Sequence, residues 1–275
     1  MDFLTAIDSI NNNNYNYGND ILYSSFNFSK GIFPSSATTL DTKLSSAISI
    51  IGKSYSADPT RSAPSGTFSN DGVGFAFDVL AAQIVQHKSY SDFYTKIYEL
   101  SSKVYVYTNA EEDKRTLLDT IECVKLLNIL IKDSINTIAK NNGIEDKESH
   151  NTVSFCSKLL HFICPSVFFI IDSYSLDGGI GLYNGKKTRK IAIENSSPTI
   201  WIDIDTTAFT LEFKPELECD DEIKTYTNHC FRAYSLSAVF YKEKINITEQ
   251  IKGDNSSKYI TRLVDSVLMR IKKEK

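Results

Sequence analysis

The chain is short of the residues that interrupt regular structure: six prolines and twelve glycines occur among 275 residues. The accompanying wealth of Ile, Asn, Lys and Tyr reflects an AT-rich coding bias rather than a function. No stretch approaches the roughly 18 uninterrupted apolar residues of a membrane-spanning helix, so none is expected and no membrane partner is implied. The N-terminus MDFLTAIDSINNNN has neither a basic region nor a long apolar core, and a secretory signal is not expected. An excess of basic charge is also missing. A net charge of −4 argues against non-specific nucleic-acid binding by the whole surface and leaves only a local patch for a polyanion. No CxxC pair exists. The five cysteines, Cys123, Cys156, Cys164, Cys219 and Cys230, are odd in number and widely spaced, which fits reduced thiols of a cytoplasmic protein and no cysteine-based zinc site.

What is present is an ordinary globular composition, 41% hydrophobic and 23% charged, in a chain long enough for one large domain or two compact ones. Residues 1–36 read as an N-terminal irregular segment around the low-complexity run NNNNYNYGND. Its aromatics Tyr15, Tyr17, Tyr23, Phe26 and Phe28 are expected to pack on the core rather than stack on bases. Residues 37–275 read as a helical domain, either one body or two lobes, 37–143 and 144–275, flanking a cleft. Leu40, Leu44, Ile48 and Ile51 recur at helical spacing, after which SYSADPTRSAPSGTFSNDGVG is a loop; Arg61 in it and Lys53 just before it are either phosphate contacts or, as the favoured reading, solvated charges.

Gly72–His87 predicts a buried core helix, and Ser89–Lys103 a shorter one with Phe93, Ile97 and Leu100 on one side. VYVYT at 104–108 is a short strand or an extended connector. Thr108-Asn109-Ala110-Glu111 reads as a capping box opening a helix to about Lys140, with Gly143 as its stop. The alternation in TIWIDIDTTAFTLEF predicts a hairpin. Asp203 and Asp205 are two apart there, but without a third carboxylate or a histidine nearby no metal is expected. Two further helices, Asp221–Lys242 and Ser257–Lys273, complete a mainly α fold: a multi-helix bundle with a small β-hairpin insert.

The stretch TVSFCSKLLHFICPSVFFIIDS, Thr152–Ser173, stands apart. As a helix to Ile163 it is apolar except at Ser154, Ser157, Lys158 and His161, whose spacing i, i+3, i+4, i+7 puts them on one face. Small hydroxyls, one amine and one imidazole suit a cleft better than open water. Pro165 stops the helix, and the apolar run Val167–Ile171 then delivers Asp172, an N-cap for the next helix. Downstream, SYSLDGGIGLYNGKKTRK ends in a basic cluster, Lys186, Lys187, Arg189 and Lys190. It is no Walker motif, since Ile180 stands where glycine and Lys187 where Ser or Thr is required. As candidate binding residues the cluster offers phosphate contacts or a solvated loop. His229 and Arg232, three apart, form a second polar pair, either structural or directed to the same cleft.

A lysine acts as a nucleophile only when neutral, so its pKa must fall from about 10.4 through burial or a nearby cation. Attack of such an amine on a sugar C1′ or a carbonyl gives a Schiff base, and a carboxylate can stabilise the cation formed. A helical lysine followed by an apolar run and a helix-capping aspartate resembles the catalytic segment of the helix-hairpin-helix DNA glycosylase superfamily, specifically a divergent 8-oxoguanine-glycosylase-like branch. The resemblance covers about Asn151–Ser173. It implies DNA as partner, base displacement and Schiff-base formation by Lys158, assistance by Asp172, and a glycosylase-like helical fold without a cofactor. The chain departs from that family in lacking its glycine-rich LPGVG-like hairpin, for it reads ESHNTVSFCSK there, and in lacking the cysteine ligands of an iron–sulfur cluster. A catalytically inactive helical module that binds a nucleotide, nucleic acid or a partner protein is the alternative reading.

Overall fold

The computed structural model describes residues 22–36, 42–68, 73–144, 152–173, 175, 188–193, 200–205, 221–242 and 260–268. It is mainly helical. Among the described residues the longer helices are α1 (Thr42–Ser54), α2 (Val73–Gln86), α3 (Tyr90–Leu100), α4 (Ala110–Asn141), α5 (Val153–Ile163), α6 (Asp221–Lys242) and α7 (Ile260–Leu268), and residues 22–26 and Phe28–Lys30, expected to be irregular, form short helical turns. Strands β1 (Thr188–Ile193) and β2 (Ile200–Asp205) pair antiparallel, with Lys190 opposite Asp203 and Thr188 opposite Asp205. The first strand thus begins upstream of the alternating run, and Arg189 and Lys190 are strand residues rather than part of a loop. The two compact units are discontinuous in sequence: one comprises Met1–Ser24, Val104–Leu117 and Pro165–Lys275, the other Ser25–Lys103 and Leu118–Cys164.

In the second unit the apolar spacings become buried faces. Leu44, Ile48 and Ile51 of α1, Phe77, Leu80 and Ile84 of α2, and Phe93, Ile97 and Leu100 of α3 are all buried. Helix α1 packs on both α2 and α5. Leu40 lies outside the described residues. Tyr23 and Phe26 are buried, and Phe28 meets the rings of Tyr94 and Tyr98, as packing aromatics should; Tyr15 and Tyr17 are outside the described residues.

Helix α4 runs for 32 residues, about 48 Å at 1.5 Å per residue. Its cap is Asn109, one residue later than the capping box predicted, because the Asn109 side chain accepts from the Glu112 N–H at 3.2 Å. At the far end the Gly143 N–H donates to Lys140 O and the Ile144 N–H to Ala139 O, both at 3.0 Å. This is a Schellman closure, and it requires Gly143 at φ 74°, in the left-handed region. A Cβ there would meet nothing within 4 Å, so the backbone conformation alone penalises a side chain. Gly143→Ala should therefore lower stability by about 1 kcal/mol without altering the fold, read as a lower urea midpoint at unchanged slope.

In the first unit Asp113, in the first turn of α4, is fully buried. Its carboxylate accepts from the Val106 N–H (2.9 Å), the Tyr107 N–H (2.8 Å) and the Tyr234 hydroxyl of α6 (2.7 Å). That grip explains why VYVYT is an extended connector and not a strand: its amides are used by a side chain. It also holds Tyr107 at φ 56°, a conformation unusual for a bulky residue. The rings of Tyr107 and Tyr234 stack at 5.7 Å, and Tyr105 stacks on Phe169 at the same distance.

Candidate functional site

Lys158 sits in mid-α5, and its surroundings belong to the second unit. Helix α5 is buried at every position from Val153 to Ile163 except Ser154. Its entry is tied to α4 by the Thr152 hydroxyl, which donates to Asn128 Oδ1 at 2.5 Å and leaves its own helix uncapped. The polar stripe is not a solvated face: Ser157 and His161 are fully buried and Lys158 is 5% exposed. The Ser157 hydroxyl donates to Ser154 O at 3.0 Å, and the His161 ring stands edge-on to Phe162. The Lys158 amine lies 5.6 Å from the centroid of the Tyr55 ring, within cation–π range, and that ring in turn contacts Phe162 at 5.4 Å. Lys158 therefore does not snorkel to water as a lysine on a core helix ordinarily does.

The chain passes from one unit to the other between Cys164 and Pro165, so Asp172 belongs to the first. It is an N-cap as its sequence context predicts: Oδ1 accepts from the Ser175 N–H at 2.8 Å, while its own N–H donates to Ser175 Oγ at 3.1 Å. The run before it, Val167–Ile171, is buried yet belongs to no helix or strand. Its carbonyls are met by side chains instead. The Tyr105 hydroxyl donates to Val167 O (2.8 Å), the Tyr226 hydroxyl to Phe169 O (3.1 Å) and His229 Nε2 to Ile170 O (2.8 Å). The Thr261 hydroxyl of α7 donates to Pro165 O just upstream.

His229 is 1% exposed, which decides its role. With Nε2 carrying the proton given to Ile170, Nδ1 is a bare acceptor, and it has no hydrogen-bond partner among the described residues. Burial lowers the imidazole from 6.5 to about 4, against the Ile170 bond and the charge of Asp172, and with help from Arg232. The Ile170 bond gives His229 a structural role, while Arg232 enters through its charge near the ring. Lys186 and Lys187 lie outside the described residues, and Arg189 is placed only as a position on β1, opposite Ile204.

Elsewhere in the second unit an open groove of about 660 Å³ is lined by His87, Lys88, Asp133, Asn136, Thr137 and Lys140. His87 is oriented inside it, accepting the Ser89 N–H at Nδ1 (3.1 Å) and facing Asp133 with Nε2 (3.2 Å). Among the described residues no cluster of His, Cys, Asp and Glu could hold a metal ion. Cys123, Cys156, Cys164 and Cys230 are buried and in no disulfide, and burial pushes the Cys164 thiol up to about 12 and raises Cys123 and Cys230, so these three are poor nucleophiles. No described helix is long and apolar enough to cross a membrane.

No family model, curated protein or solved structure matches this chain. Two residues with structural weight, Tyr55 beside Lys158 and Asp113 in the other unit, are not marked by the sequence pattern. Tyr55 sits in a Ser/Pro/Gly-rich stretch that reads as loop, and Asp113 is one of three acidic residues opening α4, a place where acids normally cap or complement the dipole in water.

A pH dependence follows from His229. Its folded value lies below its unfolded one, so the unfolded chain binds more protons between about 4 and 6.5. Stability is then complete above pH 6.5 and falls as the pH drops toward 4, by on the order of 3 kcal/mol in all. Urea midpoints taken between pH 7.5 and 4.5 should show this slope in the wild type and a shallower one in His229→Gln.

Proposed function

We propose that the chain is a DNA glycosylase/lyase-like protein that acts on a flipped, modified base through a Schiff base on Lys158. The observation that supports this reading is the 5% exposure of Lys158, a lysine held in the middle of an apolar helix beneath an aromatic ring. An amine shielded from water is the form that nucleophilic catalysis uses. In the step, the neutral amine forms a bond to C1′ while the bond from C1′ to the base breaks. The base leaves with the electron pair and takes a proton, and the amine loses one. Breaking of the C1′–O4′ bond, with protonation of O4′, then leaves a cationic iminium at the lysine nitrogen. Asp172 has the role of assisting carboxylate on the sequence resemblance alone. The absence of a glycine-rich hairpin means that DNA must be gripped elsewhere, and Lys186, Lys187 and Arg189 are the basic residues proposed for it.

A second reading rests on the same burial. A lysine amine occupied by Tyr55 can be a purely structural cation, in which case the protein binds a nucleotide, nucleic acid or a partner protein without cutting. Borohydride trapping separates the two. On oligonucleotides carrying 8-oxoguanine or an abasic site, wild type should yield a denaturant-stable adduct, Lys158→Ala none, and Asp172→Asn roughly a hundredfold less. An adduct that survives Lys158→Ala, or DNA binding with no adduct in wild type, would exclude the Schiff-base reading.

A further inference from the structure

Tyr55 is held in place with unusual care for a residue in a polar loop. It follows α1 directly, and the turn after it closes by two bonds, Ser56 N–H to Lys53 O (3.4 Å) and Ala57 N–H to Gly52 O (2.8 Å). Ser56 accomplishes this at φ 51°, in the left-handed region where glycine is the ordinary choice. The turn is also tight against its own helix: a Cβ on Gly52 would lie 3.0 Å from the Asp58 Cα, so that position tolerates no side chain without movement. Asp58 then locks the next turn, accepting from both the Thr60 N–H (2.9 Å) and the Thr60 hydroxyl (2.7 Å), with Pro59 at its start. A strained non-glycine residue persists only where its surroundings over-determine it, and such residues gather at functional sites. Here the strained turn presents one ring, whose neighbours are Phe162 (5.4 Å) and the Lys158 amine (5.6 Å).

We infer that Tyr55 is a positioning residue for Lys158, its ring stabilising the cation that forms on the lysine nitrogen when the amine condenses with a carbonyl compound. The inference rests on the reading of Lys158 as the reacting amine. Condensation turns a neutral amine and an aldehyde into an iminium and water after one protonation, and the positive charge lies at the nitrogen. That nitrogen already stands over the ring. The ring favours the ammonium as well, so the gain is relative to the neutral amine, and labelling is carried out at a pH where that form is populated. Phe162 backs the ring, so the contact does not depend on the phenol hydroxyl.

The test needs no DNA. Full-length protein is treated with propionaldehyde and sodium cyanoborohydride, and the reduced adduct is mapped by mass spectrometry, with Lys96, which pairs with Asp119 at 3.3 Å, as the internal standard. Relative to Lys96, Tyr55→Phe should label Lys158 within about twofold of wild type and Tyr55→Leu about tenfold less. Pentafluorophenylalanine placed at Tyr55 keeps ring size but reverses the ring's electrostatics, and should behave like Tyr55→Leu. It serves if the leucine variant fails to fold. Unchanged or increased labelling in Tyr55→Leu or in the fluorinated protein overturns the inference, as does a wild type in which Lys96 is labelled and Lys158 is not. Failure to trap DNA alongside ring-dependent labelling would remove the glycosylase reading and leave the role of Tyr55 standing.

Discussion

A buried backbone that is neither helix nor strand must find hydrogen-bond partners among side chains, and the first unit is organised by that requirement. Val167–Ile171 is the most apolar run in the chain and is buried throughout. Its carbonyls, and that of Pro165, are taken by Tyr105, Tyr226, His229 and Thr261. Those donors come from the connector before α4, from α6 and from α7, so one segment's unmet acceptors draw three distant parts of the sequence together. Each carbonyl left unmet in such a place would cost about 1–3 kcal/mol, which makes the donors hard to replace. Asp172 emerges at the end of this clamped run, and its orientation follows from the clamp and from its reciprocal bonds with Ser175.

The same logic runs in reverse at Asp113. There a buried acceptor collects donors, two backbone amides and a phenol, and thereby ends regular structure in the connector and ties it to α6. Burial and the adjacent carboxylate both raise the Tyr234 phenol, so the hydroxyl remains the donor across the ordinary pH range. In the second unit the determining constraint is different. A long amine is enclosed in an apolar helix, and a strained turn supplies the ring that meets it. In that unit burial keeps the Cys123 and Cys164 thiols protonated.

Much of the helical framework was legible because apolar spacing reports burial directly. Leu44, Ile48 and Ile51, then Phe93, Ile97 and Leu100, then Ile121, Val124, Leu127, Ile131, Ile135 and Ile138 all face the core as their spacing of three and four requires. Helix ends were legible where the chemistry is local: Gly143 stops α4 through its own left-handed backbone, and Asp172 caps through a side chain that reaches three residues. The one-residue error at Asn109 arose because Thr108 and Asn109 are both good caps, and only the position of the Glu112 amide selects between them. Tyr55 was illegible for a different reason. Composition marked its segment as loop, and nothing local indicates that the loop would fold back onto α1 and turn one ring toward a lysine about a hundred residues later.

Sequence alone therefore determined the mainly helical class, the odd polar stripe on α5 and the cap at Asp172, since each depends on residues within a turn or two of one another. Tertiary structure alone decided that Lys158 is shielded from water, that His229 spends its proton on the Ile170 carbonyl, and that a tyrosine covers the amine. Those outcomes are set by desolvation and by which distant groups arrive to satisfy a buried atom. A linear pattern records the period of an apolar face, but it does not record what packs against it.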